Sequence, residues 1–205
     1  MFKPFVPHML SVRLISLLFV LAAFAALAGC SHPKAVVPAT FGKYTASDSA
    51  FSCDAPAGWA ADSSSSGGVE SGVAYTSGDA KISVNSDQAG SFMSDALSSP
   101  GSILQSSSPL PASAPPVEKL HAMTGNKFAQ DLEGYKEVTT TSQMLSYGDS
   151  RITEYTAKDV HGYRATLLNK DRRVSVVCRC SPEEWASLSP AFLRVITSIK
   201  AGAGN

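Results

Sequence analysis

Three cysteines, two histidines and many serines are the side chains in the body of this 205-residue chain with chemistry to offer. Nucleophilic catalysis needs a Ser or Cys beside a His that a third group orients. Serines are abundant, but His121 and His161 are the only histidines beyond His32. Neither stands in a Gly-x-Ser-x-Gly or comparable setting. His161 falls in Asp159-Val160-His161-Gly162, which reads as an exposed turn. His121 falls on the apolar stripe of a helix, as a packed or surface residue. A hydrolase would need a Ser or Cys within hydrogen-bond reach of one of these imidazoles. The reading is that the chain is not an enzyme and has no catalytic residues. Cys178-x-Cys180 puts two sulfurs on one side of a strand. With Cys53 and a histidine they would make up a Cys3His zinc set, but the usual ligand loops are missing, so no metal is expected. No glycine-rich phosphate loop appears, and no cofactor is expected. Two readings of Cys53, Cys178 and Cys180 stay open. They are small core residues, or Cys53 forms a disulfide with Cys178 or Cys180. The disulfide needs the first strand beside the last, with Cα atoms within about 7 Å.

The elements that would position these residues follow from periodicity and punctuation. Phe51 and Cys53 alternate with Ser52 and Asp54, as in a half-buried strand, after the turn Ser47-Asp48-Ser49. Pro56 and Gly58 end it, and Trp59 caps the core edge. Residues 63–68 read as a polar loop. Residues 69–77 and 80–86 form a hairpin around Gly78-Asp79, with Val73 and Tyr75 facing Ile82 and Val84. Residues 92–97 are a short amphipathic piece. Residues 98–116 are rich in Ser and Pro and cannot bury enough surface to hold one shape. They read as an exposed loop. Val117, Leu120, Thr124, Phe128 and Leu132 have helical spacing, and Gly125 weakens the middle by about 1 kcal/mol. A meander of strands follows over 135–145, 151–158, 163–169 and 173–180. Its connections are too short for parallel crossovers. Val174, Val176, Cys178 and Cys180 share one face of the last strand. Arg173, Ser175, Val177 and Arg179 share the other. Ser181, Pro182 and Glu184 suit a capping box, which also accounts for Glu183-Glu184 at a helix start. Phe192, Val195, Ile196 and Ile199 then give the inward stripe of a final helix. Residues 201–205 read as a frayed tail.

Residues 1–13 carry Lys3 and Arg13 and no acid, and residues 14–27 are apolar but for Ser16. That run is shorter than the roughly 20 residues of a membrane span and suits a signal peptide. It ends in Leu27-Ala28-Gly29-Cys30, which resembles the bacterial lipobox. The resemblance implies diacylglycerol on the Cys30 sulfur, cleavage before Cys30, and acylation of the new amino terminus. Several acyl chains hold a bilayer firmly where one does not. The expected plan is a signal peptide over 1–29, a lipidated tether over 30–40, and one domain over 41–201. The address is the cell membrane, lipid-anchored. Ser31 in place of the Asp that commonly marks inner-membrane retention points to the outer membrane, facing the periplasm, in a Gram-negative organism. The leader holds two of the 17 basic residues and none of the 17 acidic ones, so the remainder carries net −2. No basic patch stands out, and nucleic acid is not expected as a partner.

Two segments resemble PsbP/Mog-like domains. Tyr44-Thr45-Ala46-Ser47-Asp48-Ser49-Ala50-Phe51-Ser52-Cys53-Asp54-Ala55-Pro56 with Trp59 looks like their opening, a turn into an aromatic strand that ends in Pro and then Trp. Residues 173–200 look like their closing strand, capped turn and long helix. The resemblance implies an α+β fold, an antiparallel sheet with helices on both faces. It implies binding or assembly roles and offers no shared catalytic residues. The expected function is an envelope-anchored, non-catalytic interaction module that meets an envelope protein through its Ser/Pro loop and sheet edges. The alternative is a small-ligand carrier with an apolar pocket between the sheet and the 117–132 helix.

Overall fold

A computed structural model describes residues 33–66, 70–88, 113–170 and 172–202, with the side chains of 65 and 66 excepted. The chain divides into two compact units, Met1–Pro33 and Lys34–Asn205, and the second carries the fold. The leader with Cys30, the 92–97 piece and most of the Ser/Pro segment lie outside the described residues.

Ten strands and two helices are described. They are β1 (Phe41–Thr45), β2 (Phe51–Pro56), β3 (Ala60–Ser66), β4 (Glu70–Ser77), β5 (Ala80–Gln88), α1 (Pro116–Asp131), β6 (Lys136–Met144), β7 (Asp149–Ala157), β8 (Val160–Asn169), β9 (Arg172–Cys180), α2 (Trp185–Thr197) and β10 (Lys200–Ala201). Seven strands form one sheet in the order β3-β4-β5-β9-β8-β7-β6, and β1-β2-β10 form a second. Every described pairing is antiparallel. Two meanders, β3 to β5 and β6 to β9, meet where β5 pairs with β9.

Strand side chains alternate between faces, and β8 shows what each face does. Ala165 and Leu167 join the apolar core with Val174, Val176 and Cys178 of β9. That core also takes Ile82 and Val84 of β5, Phe51 and Cys53 of β2, and Leu188, Phe192, Val195 and Ile196 of α2. Phe192 is fully buried and meets Trp59 edge-on at 6.4 Å. Arg164 and Thr166 point the other way, to α1, which packs on β7 and β8. The two helices therefore lie on opposite faces of the sheet.

The structure departs from the sequence reading in several places. Residues 60–66 are an edge strand on β4 rather than a polar loop. A serine run has no two-residue period to reveal a strand, but pairing with β4 satisfies its backbone. Residues 35 and 36, expected in a free segment, are held against the domain. The Ala35 amide donates to Glu184 Oε1 at 2.7 Å, and Trp59 Nε1 donates to the Val36 carbonyl at 2.8 Å. The capping box does not form, because Ser181 Oγ donates to Glu184 Oε2 and the helix starts at Trp185 after a separate turn. Lys200 and Ala201 pair with β2 instead of fraying.

Phe192→Ala removes the ring that joins α2, Trp59 and the sheet. It is expected to cost about 3–5 kcal/mol, read by urea denaturation; a loss below about 1 kcal/mol would contradict this picture of the core.

Candidate functional site

The face under α1 is built around polar side chains, and these fix where the helix sits. Arg164 of β8 has its side chain 4% exposed. A guanidinium taken out of water needs partners on every side. Nη1 donates to the His121 carbonyl at 2.7 Å and to Thr124 Oγ1 at 3.4 Å. Nε donates to the Tyr135 hydroxyl at 2.7 Å, and Nη2 to Glu137 Oε1. Tyr135 in turn donates to Glu137 Oε1 at 3.1 Å. Burial pushes the Tyr135 phenol up to about 12 although Arg164 pulls it down, so the hydroxyl keeps its proton. Gly125 of α1 makes room for this group. A Cβ there would stand 2.6 Å from Arg164 Nη2 and 3.0 Å from Cζ.

His121 lies beside it, fully buried. Nδ1 is 3.0 Å from Thr166 Oγ1, and Nε2 is 2.8 Å from Thr153 Oγ1. Thr153 Oγ1 is also 2.8 Å from Thr140 Oγ1. A neutral imidazole donates through one nitrogen and accepts at the other, which the two hydroxyls satisfy. Desolvation first, then the charges of Arg164 and Arg151, lower its pKa to about 2. It is a neutral cross-brace between α1, β7 and β8. Neither imidazole has a Ser or Cys hydrogen-bond partner among the described residues.

His161 is not in an exposed turn. The turn is Lys158-Asp159, one pair earlier, so His161 lies on β8 opposite Thr156 and Cys180. Its ring stacks on Trp185 at 3.8 Å, and Nε2 is 2.8 Å from Glu154 Oε1.

Cys53, Cys178 and Cys180 are free thiols, all buried. Burial pushes Cys53 and Cys180 up to about 12, and Cys178 up as well. Thiols held in this form are poor nucleophiles and metal ligands. Among the described residues, no group of three or more His, Cys, Asp or Glu side chains is arranged to hold a metal ion. No helix among them is long and apolar enough to cross a membrane.

Two surface features remain. The first is a groove of about 250 Å³ between the C-terminal half of α1 and the β5–β9 part of the sheet, lined by Lys81, Phe128, Leu132, Tyr155, Val177, Arg179 and their neighbours. It lies where a ligand pocket was expected, but it is open, with apolar side chains at its floor and charged ones at its rim. The second is β6, an outer strand of the seven-stranded sheet. All nine of its residues are exposed, and it shifts register at Val138. From Val138 to Met144 it carries no charge, and Val138 and Met144 are large exposed hydrophobics.

Two outcomes follow from the α1 interface. Unfolded, His121 titrates near its ordinary value of 6.5; folded, it binds a proton only near about 2. Between these values the unfolded chain holds more protons, so stability falls as pH drops below 6.5. The expected loss from this group is about 2 kcal/mol between pH 7 and 5, read by urea denaturation. In His121→Gln that part of the slope should disappear; an unchanged slope would contradict a caged neutral ring. Gly125→Ala adds about 1 kcal/mol of helix propensity, yet it is expected to destabilise by about 1–3 kcal/mol, because the guanidinium is held by four groups and cannot step aside. A stabilised variant would count against that packing.

No protein-family model and no curated protein matches this chain. The chain is similar in shape to several solved structures. One is the solution structure of cyanobacterial PsbP (CyanoP) from Synechocystis sp. PCC 6803, with TM-score 0.53 and 12% identity over 86% of this chain and 99% of that one. Another is LpqN of Mycobacterium tuberculosis, involved in cell envelope biogenesis, with TM-score 0.45 and 9% identity over 74% and 83%. A third is PA94 of Pseudomonas aeruginosa, of unknown function, with TM-score 0.40 and 11% identity over 78% and 95%. At 12% identity the likeness to CyanoP is one of fold and not of function. The chain has the PsbP-like α+β fold that residues 44–59 and 173–200 led us to expect.

Proposed function

We propose that this chain is an envelope-anchored lipoprotein whose domain works as a non-catalytic interaction module. The binding half of the reading is carried by β6. An edge strand offers a row of backbone donors and acceptors that a partner strand can complete. Natural edges are usually blunted by lysines, prolines or inward charges. The stretch Val138-Thr139-Thr140-Thr141-Ser142-Gln143-Met144 has none of these, and Thr and Val suit a strand. The register shift at Val138 stands at one end of that stretch and leaves the rest regular.

The anchoring half rests on Leu27-Ala28-Gly29-Cys30 behind its basic and apolar leader. Acyl chains on Cys30 would hold the domain at a membrane, in the outer membrane of a Gram-negative cell. The groups that could do chemistry are taken up in structure: His121 braces the helix, His161 stacks on Trp185, and the thiols lie in the core. That supports binding over turnover.

A photo-crosslinking residue at Thr141, in cells carrying the chain in its envelope, is expected to capture a specific neighbour, while one at Lys127 on the exposed side of α1 captures none. Equal capture at both positions would remove β6 as the contact. Cys30→Ala is expected to release the chain from the membrane fraction; unaltered processing and association would remove the anchor.

A further inference from the structure

Lys81 of β5 and Arg179 of β9 are direct cross-strand partners. Side chains so placed have Cβ atoms about 4.5–5.5 Å apart, and like charges there are destabilising. Six residues along the same ladder, the opposite arrangement occurs. Asp87 faces Arg173 and takes its guanidinium through both carboxylate oxygens. One end of the β5–β9 ladder is thus neutralised from within, and the other keeps two cations side by side. Neither Lys81 nor Arg179 makes an ion pair or side-chain hydrogen bond among the described residues.

These two cations rim the groove beside α1. Its apolar surface comes from Phe128, Leu132 and Val177, and the buried Tyr155 ring backs Phe128 at 5.6 Å. Tyr155 can lie there because β8 carries glycine at 162, where a Cβ would stand 2.8 Å from its hydroxyl. Asp131 stands on the helix side of the rim. The site's net charge is therefore +1. Its volume of about 250 Å³ is just below the roughly 300–1,000 Å³ of drug-sized pockets, so it has room for about one ring.

We propose that this groove binds a small organic monoanion with an apolar body, its carboxylate held between Lys81 and Arg179 and its ring or short chain laid on Phe128 and Val177. The ligand removes a repulsion that the empty fold carries. The arginine fork suits a carboxylate in geometry. Asp131 disfavours a second negative charge and so selects against phosphate dianions. The site adds a ligand to the proposed interaction module and does not depend on β6 or on the anchor.

The test uses the purified full chain and three probes followed by fluorine NMR: 4-fluorobenzoate, 4-fluorophenyl phosphate and neutral 4-fluorobenzyl alcohol. The benzoate is expected to bind best, and to weaken in high salt. K81Q and R179Q should each weaken it about tenfold or more, while Asp131→Asn should narrow the gap between benzoate and phosphate. In the absence of probe, K81Q should raise the thermal midpoint, because it relieves the like-charge pair. Equal binding of benzoate and alcohol, phosphate binding at least as tight as benzoate, no binding at all, or benzoate binding unchanged in K81Q and R179Q would each overturn the assignment. A lowered midpoint in K81Q would mark Lys81 as a structural residue and overturn it too.

Discussion

A guanidinium buried under a helix has to be satisfied completely, and that requirement decides how one side of this domain is built. Arg164 takes a carbonyl and a hydroxyl from α1, a phenol from the α1–β6 connection, and a carboxylate from β6. Each partner belongs to an element whose position is otherwise loosely set. α1 has few large apolar side chains facing inward: Val117 and Leu120 are buried, beside His121 and Gly125. Hydrocarbon burial alone would leave the helix free to rotate or slide. Directional bonds to Arg164, and from His121 to Thr153 and Thr166, remove that freedom.

The opposite face works by the opposite means. α2 presents Leu188, Phe192, Val195 and Ile196 to a continuous apolar layer, and the small β1-β2-β10 sheet closes that layer at one end. Packing there is non-directional and close. One sheet therefore separates a side held by shape and area from a side held by hydrogen bonds. The solvent-facing features, the β6 edge and the groove beside α1, both adjoin the hydrogen-bonded side. Both features thus lie apart from the apolar layer under α2.

Much of this was legible in residue order. The β6 to β9 meander followed from strand-like runs joined by short connections, and the face assignment of β9 held residue by residue. The spacing of Phe192, Val195, Ile196 and Ile199 announced the packed face of α2. What escaped depends on contacts between distant segments. Ser63 to Ser66 have no period, so only their pairing with β4 reveals a strand. His161 moved from turn to strand because the hairpin closes at Lys158-Asp159, one pair before the glycine that drew attention. Lys81 and Arg179 are ordinary residues in their own strands. Their adjacency needs the register of β5 on β9, and the two residues are 98 positions apart in the chain. One missed signal was present: Arg164 sits inside Tyr163-Arg164-Ala165-Thr166-Leu167, a charge in an otherwise half-apolar strand.

That strand has a consequence for how the sheet assembles. Alternate residues of β8 belong to chemically different layers, Ala165 and Leu167 to hydrocarbon, Arg164 and Thr166 to the polar bracket. Sliding β8 by a single residue would drive the guanidinium into the oil beneath α2 and strand two aliphatic groups among hydroxyls. Misaligned pairings of the meander are thus penalised from both sides at once. The buried arginine serves as a ruler for strand alignment.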